Sequence, residues 1–188
     1  MKNHCIKIAW VILIVSSSIF VFKGKEKPKT IITENVVANN FVFKSAHSYN
    51  RYQEEVVYEG LTLTELGTKI DAVLNSSIAG YGKTIASLAL EKGVDPYVAT
   101  SIILVETGCK WTCSSLVRNN NNVGGMRGSR GYLKYSSLEV GIEAFINNLA
   151  NNYYAKGLNT PELINQKYAQ NPNWYQKVYY YVNMIKAS

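Results

Sequence analysis

Histidine is almost missing from this chain: His4 and His47 are the only two, and both precede the region of regular helical punctuation. Cysteine is scarce as well, and Cys109-x-x-x-Cys113 has no further soft ligands beside it. No metal-ligand set results, so neither zinc nor any other metal is expected. A cysteine nucleophile would lack its usual histidine base. Nothing suggests a cofactor. Net charge is +7, but residues 1–30 hold six Lys against Glu26, while 31–188 carry 14 basic and 12 acidic residues. The body shows no basic stripe with interleaved aromatics, which argues against a nucleic-acid partner. Acid is rarest where it would matter most: no Asp or Glu lies between Glu106 and Glu139.

Long apolar runs are also few. One spans Ile8 to Phe22, broken by Ser16–Ser18, with Lys2 and Lys7 ahead of it. A membrane span needs roughly 20 apolar residues, which this run reaches only with Cys5 and Ile6 included. It reads as a signal peptide or an uncleaved anchor, and the anchor is favoured because no clean small-x-small cleavage site follows. Residues 1–23 are thus expected to attach the chain to a membrane. Residues 24–60 have the character of a linker, with room for one short packed segment. The domain, residues 61–188, is expected outside the cytoplasm.

What remains is mostly helical. Thr62 and Glu65 match a capping box ahead of Leu66, Ile70, Val73 and Leu74. A second helix is expected over about Tyr81–Lys92, stopping at Gly93. Ser136 and Glu139 match another capping box before Leu138, Ile142, Phe145, Ile146, Leu149 and Tyr153. Three of the four prolines follow a capping residue, at Asp95-Pro96, Thr160-Pro161 and Asn171-Pro172, and each pair predicts a helix start. Cys109 to Tyr135, rich in Asn and Gly, breaks this pattern and predicts a hairpin or irregular lobe.

The stretch Asp95–Gly108 organises the rest. Val98, Ala99, Ile102, Ile103, Leu104 and Val105 cover nearly every side of a helix, so that helix is buried. Its one ionisable side chain, Glu106, sits in the last turn before a left-handed stop at Gly108. Partial burial raises a carboxyl pKa and suits a proton donor; a satisfied Glu at a helix end is the bland alternative. Cys109 and Cys113 flank that turn, and outside the cytoplasm a disulfide is the natural reading over free thiols. Tyr153, Tyr154, Tyr179, Tyr180 and Tyr181 are either sugar-stacking surface or packing.

The order of these parts resembles the bacterial cell-wall N-acetylglucosaminidase domain, glycoside hydrolase family 73, over about Leu61–Ile185. The resemblance rests on Val94-Asp95-Pro96, Glu106-Thr107-Gly108, Asn121-Asn122-Val123-Gly124-Gly125, Tyr135-Ser136-Ser137-Leu138-Glu139, Lys167-Tyr168-Ala169 and Trp174 with Lys177-Val178. It implies a lysozyme-like helical fold and cleavage of β-1,4 bonds in peptidoglycan glycan strands. It also implies Glu106 as general acid, with Tyr168, Asn122 and Gly125 lining the site; Tyr132, an aromatic of the lobe, is a further expected substrate contact. The chain departs from the family's usual pattern at Val123-Gly124-Gly125, at Gln170 and Asn171, and in lacking a lobe carboxylate. Glu139 is the available second carboxylate, although its expected capping role is structural. A 2-acetamido sugar can supply its own nucleophile, so one acid suffices. A lytic transglycosylase or muramidase on the same fold, and a non-catalytic wall-binding module, are the alternatives.

Overall fold

The structure, a computed structural model, describes Glu54–Ser188; the expected anchor and nearly all of the expected linker lie outside the described residues. Packed chain begins ahead of Gly60. Val56–Tyr58 (β1) and Leu61–Thr62 (β2) pair antiparallel across a two-residue turn, Glu59-Gly60, in which both residues have positive φ. The Tyr58 ring stands edge-on to Tyr97 at 5.0 Å, and its hydroxyl donates to Asp95 Oδ2 at 3.0 Å. A boundary between residues 60 and 61 would therefore cut a hairpin at its turn.

Seven α-helices follow among the described residues: α1 (Leu63–Asp71), α2 (Gly82–Glu91), α3 (Pro96–Thr107), α4 (Ser115–Asn120), α5 (Leu138–Asn152), α6 (Pro161–Tyr168) and α7 (Trp174–Ala187). Between α4 and α5 lies one short hairpin, Arg127–Gly128 (β3) with Gly131–Tyr132 (β4). The architecture is mostly α with a small lobe, as expected. No helix among the described residues is long and apolar enough to cross a membrane.

The core forms around α3. Every residue of that helix except Val105 and Glu106 is buried, against α2 on one side and α7 on another. Its ends are fixed locally. Asp95 Oδ1 accepts from the N–H groups of Tyr97 and Val98, Pro96 fills the first position, and Gly108 adopts φ +67° to end the helix. Burial of Ile102, Ile103 and Leu104 supplies the driving force, at roughly 2 kcal/mol or more per side chain. Thr62 and Glu65 form the expected capping box at the start of α1.

Three local expectations are corrected. The α5 cap is Ser137, whose Oγ accepts from the Val140 N–H at 3.3 Å, so the Ser136–Glu139 box does not form. Pro172 does not open a helix. Asn171 Oδ1 instead accepts from the Asn173 N–H at 2.9 Å, making a turn that delays α7 until Trp174. The Cys109–Tyr135 region is not wholly irregular, because α4 lies within it with Val117 buried. Six residues are too few to show a helical period.

Candidate active site

Glu106 is one of the two residues of α3 not enclosed by the core, and it opens into a cavity of about 450 Å³. Gly124, Gly125, Met126, Arg127 and Leu133 from the lobe, Asn148 and Tyr153 from α5 and the following turn, and Tyr168 from α6 line it too. The residue as a whole is exposed to this groove, while the atoms packed around its carboxyl group still displace part of that group's water. Loss of hydration is the largest influence on its carboxyl group and raises its pKa above the ordinary glutamate value. The Trp174 indole N–H, which donates to Glu106 Oε1 at 3.2 Å, and the positive charge of Lys177 partly oppose that rise.

An aromatic wall supports the acid. Tyr168 stacks on Trp174 at 4.7 Å with 25° between the planes, and Tyr153 leans on Tyr168 at 5.6 Å. Burial holds the Tyr168 phenol protonated far above neutrality. A phenol so held is no base. Asn165, itself buried, fixes the turn that brings Trp174 in. Its Nδ2 donates to the carbonyls of Ala169 and Asn171, and its Oδ1 accepts from the Tyr175 N–H at 3.0 Å.

The lobe is held by Asn122. That side chain is fully buried: Nδ2 donates to the carbonyls of Met126 (2.8 Å) and Leu133 (3.0 Å), and Oδ1 accepts from the Met126 N–H (2.9 Å). With both donors spent inside the lobe, Asn122 shapes the wall and does not face the cavity as the resemblance implied. Gly124 follows for a steric reason, since a Cβ there would stand 2.3 Å from the Phe145 ring. Gly125, with φ +60°, does line the cavity. Cys109 and Cys113 are joined in a disulfide directly after the turn that carries Glu106.

Two expected site residues lie elsewhere. Tyr132 is absent from the cavity lining and half exposed; its ring carries the Arg127 guanidinium 4.5 Å above it. Glu139 lines a separate groove with Leu63, Lys83 and Glu143 and accepts the Tyr81 hydroxyl at 2.8 Å. Hydrogen bonds from its own backbone, Ser137 and Tyr81 hold its pKa below the usual carboxylate value. Glu106 is thus the one carboxylate among the residues lining its cavity, and a pair of acids astride one bond is not found there. Among the described residues no group of His, Cys, Asp and Glu could hold a metal ion.

Sequence reasoning counted Trp174 among the motifs of the resemblance and missed its bond to Glu106. A buried tryptophan has one donor that needs a partner, and that was the available signal. Arg127, Met126, Leu133 and Asn148 carried no signal beyond membership of the lobe or of α5.

A carboxyl group with a raised pKa beside an open groove, walled by aromatics and small residues, suits a glycosidase. The family model for glucosaminidases, described as mannosyl-glycoprotein endo-beta-N-acetylglucosaminidase, matches residues 82–187, and the chain belongs to that family of glycoside hydrolases. The match starts at the first residue of α2 and contains every residue lining the cavity. Membership of that family indicates a glycoside hydrolase. No curated protein matches the chain.

Proposed function

We propose that this enzyme hydrolyses peptidoglycan, cutting a β-1,4 bond of the glycan strand as an endo-β-N-acetylglucosaminidase, with Glu106 as general acid. The observation that carries the reading is Glu106 as the lone carboxylate of an open, aromatic-walled cavity, its pKa raised by burial. As the bond from the anomeric carbon to the leaving oxygen breaks, its electron pair stays on that oxygen, which takes the Glu106 proton. The carbonyl oxygen of the substrate's 2-acetamido group bonds to the anomeric carbon in place of a protein nucleophile. A water then opens that ring and returns a proton to the Glu106 carboxylate. The Tyr168 hydroxyl is suited to orient the acetamido group. The same lone acid also serves a lytic transglycosylase, in which a sugar hydroxyl replaces the water.

The disulfide supports work in an oxidising compartment. Together with the apolar segment at the N-terminus, it favours a membrane-attached or secreted enzyme acting outside the cytoplasm.

Mass spectrometry of muropeptides from digested sacculi tests the reading. Reducing N-acetylglucosamine ends are expected. Reducing N-acetylmuramic acid ends would make it a muramidase, and anhydro ends a transglycosylase. Glu106→Gln should lose at least about two orders of magnitude in rate while keeping its fold and its binding to sacculi, since general acid catalysis is worth roughly 10²–10⁴-fold. Glu139→Gln should cost far less. Near wild-type activity in Glu106→Gln would remove the assignment.

A further inference from the structure

The lobe beside Glu106 carries charge of one sign. From Cys109 to Tyr135 it holds Lys110, Arg118, Arg127, Arg130 and Lys134, and no Asp or Glu. The ion pairs among the described residues are Lys83–Glu54, Lys92–Glu91 and Lys186–Glu59, so none of the five lobe cations is paired with a carboxylate of the described residues. Arg118 turns inward and donates to the Cys113 carbonyl.

Arg127 is placed differently. It lines the Glu106 cavity. The β3–β4 register sets it opposite Tyr132, and its guanidinium carbon stands over that ring, 4.5 Å from the centroid. Stacking on an aromatic face fixes the plane of a guanidinium while leaving its N–H edges free, and those edges match a carboxylate in two-point fashion. A neutral sugar chain offers such a group hydrogen-bond acceptors but no opposite charge. A glycan that carries carboxylates on lactyl ethers or on attached peptides does.

We propose that Arg127, steadied by Tyr132, is a specificity residue that binds a carboxylate borne by the glycan on a sugar next to the cleaved bond. The proposal rests on the glycan-hydrolase reading above and names which strands that site prefers. It gives Tyr132 a role through Arg127 in place of the direct sugar contact expected from sequence. The remaining lobe cations add a field that draws anionic strands toward the cavity.

Binding to the full-length Glu106→Gln protein tests this without relying on turnover. Calorimetric titration would compare three oligosaccharides of equal length: a neutral N-acetylglucosamine oligomer, a peptide-stripped strand with free lactyl carboxylates, and the same strand with its peptides. At least one anionic strand should bind more tightly than the neutral one by about fivefold, the upper range for an exposed ion pair. The preference should shrink with added salt and vanish in Glu106→Gln/Arg127→Gln. Which anionic strand wins identifies lactyl or peptide carboxylate as the source. Equal affinity for all three, or a preference that survives loss of Arg127, overturns the proposal. The rate of the wild-type chain on the same three strands is a separate matter: if it cuts none of them while Arg127 still selects, the hydrolase reading fails and the binding role stands.

Discussion

The helix that carries Glu106 is held by burial, whereas the lobe lining the same cavity is held in large part by side-chain hydrogen bonds from Asn121 and Asn122. Around α3, apolar side chains from α2 and α7 close over Ile102, Ile103 and Leu104. In the lobe the hairpin strands are two residues each and mostly exposed, and beyond the buried Val117 and Val123 it is Asn122 that ties Met126 to Leu133. A frame built by burial is rigid and insensitive to polar detail. A wall built on a few directed bonds can change its surface, and there the chain presents cations without a carboxylate. Glu106 stands at the seam, with its backbone in the frame and its carboxyl facing the wall.

Substitutions in the two regions should therefore fail differently. Ile102→Ala opens a cavity in the frame and should cost about 2–5 kcal/mol, lowering the denaturation midpoint of the whole domain. Asn122→Ala leaves the Leu133 carbonyl and the Met126 N–H without a partner, the Met126 carbonyl still accepting from the Leu133 N–H, and should cost about 1–3 kcal/mol. Its signature should be a loss of activity larger than its loss of thermal stability, with helical circular dichroism kept. If Asn122→Ala unfolds the domain as completely as Ile102→Ala, the two regions are one cooperative unit and the contrast fails. Replacing Cys109 and Cys113 by Ser opens a loop with a sequence separation of only 4. The chain-entropy benefit of so short a loop is about 2 kcal/mol or less, so denaturant titration should show the smallest change of the three.

Glu106 adds a test of sign. A carboxyl group whose pKa is raised in the folded state favours folding while protonated, and that contribution is lost as pH rises through the folded value. Glu106→Gln should therefore be more stable than wild type at neutral pH and lose this advantage in acid. Chemical denaturation at the two pH values measures it. A variant less stable at neutral pH would mean that the acid is held in its ionised form.

Much of the frame was legible because its signals are local. Asp95-Pro96, the Thr62–Glu65 box and the stop at Gly108 each lie within a few residues of the backbone groups they satisfy. The apolar surround of α3 also marked it as the buried helix. The errors came where a neighbouring side chain changed a local rule. Asn171 bonded to Asn173 and displaced the start of α7, and Ser137 capped α5 in place of Ser136. Glu106 was readable because an ionisable group in an apolar helix stands out. Its partner Trp174 was not, being 68 residues away. Asn122 could be read as belonging to the lobe, but the direction of its side chain depends on the fold of that lobe, with Asn121 in the left-handed region just before it.

The central claim, that Glu106 acts as the proton donor and is tuned by its surroundings, is tested most directly by the pH dependence of glycan cleavage in wild type and Lys177→Gln. Lys177 is exposed on α7, so its substitution leaves the core intact, and its positive charge holds the Glu106 pKa down. Activity should fall on the alkaline side as Glu106 loses its proton, with a midpoint above the ordinary glutamate value. In Lys177→Gln that limb should move to higher pH, because the ionised form loses a favourable charge. A limb that stays in place in Lys177→Gln, or moves to lower pH, would contradict the account.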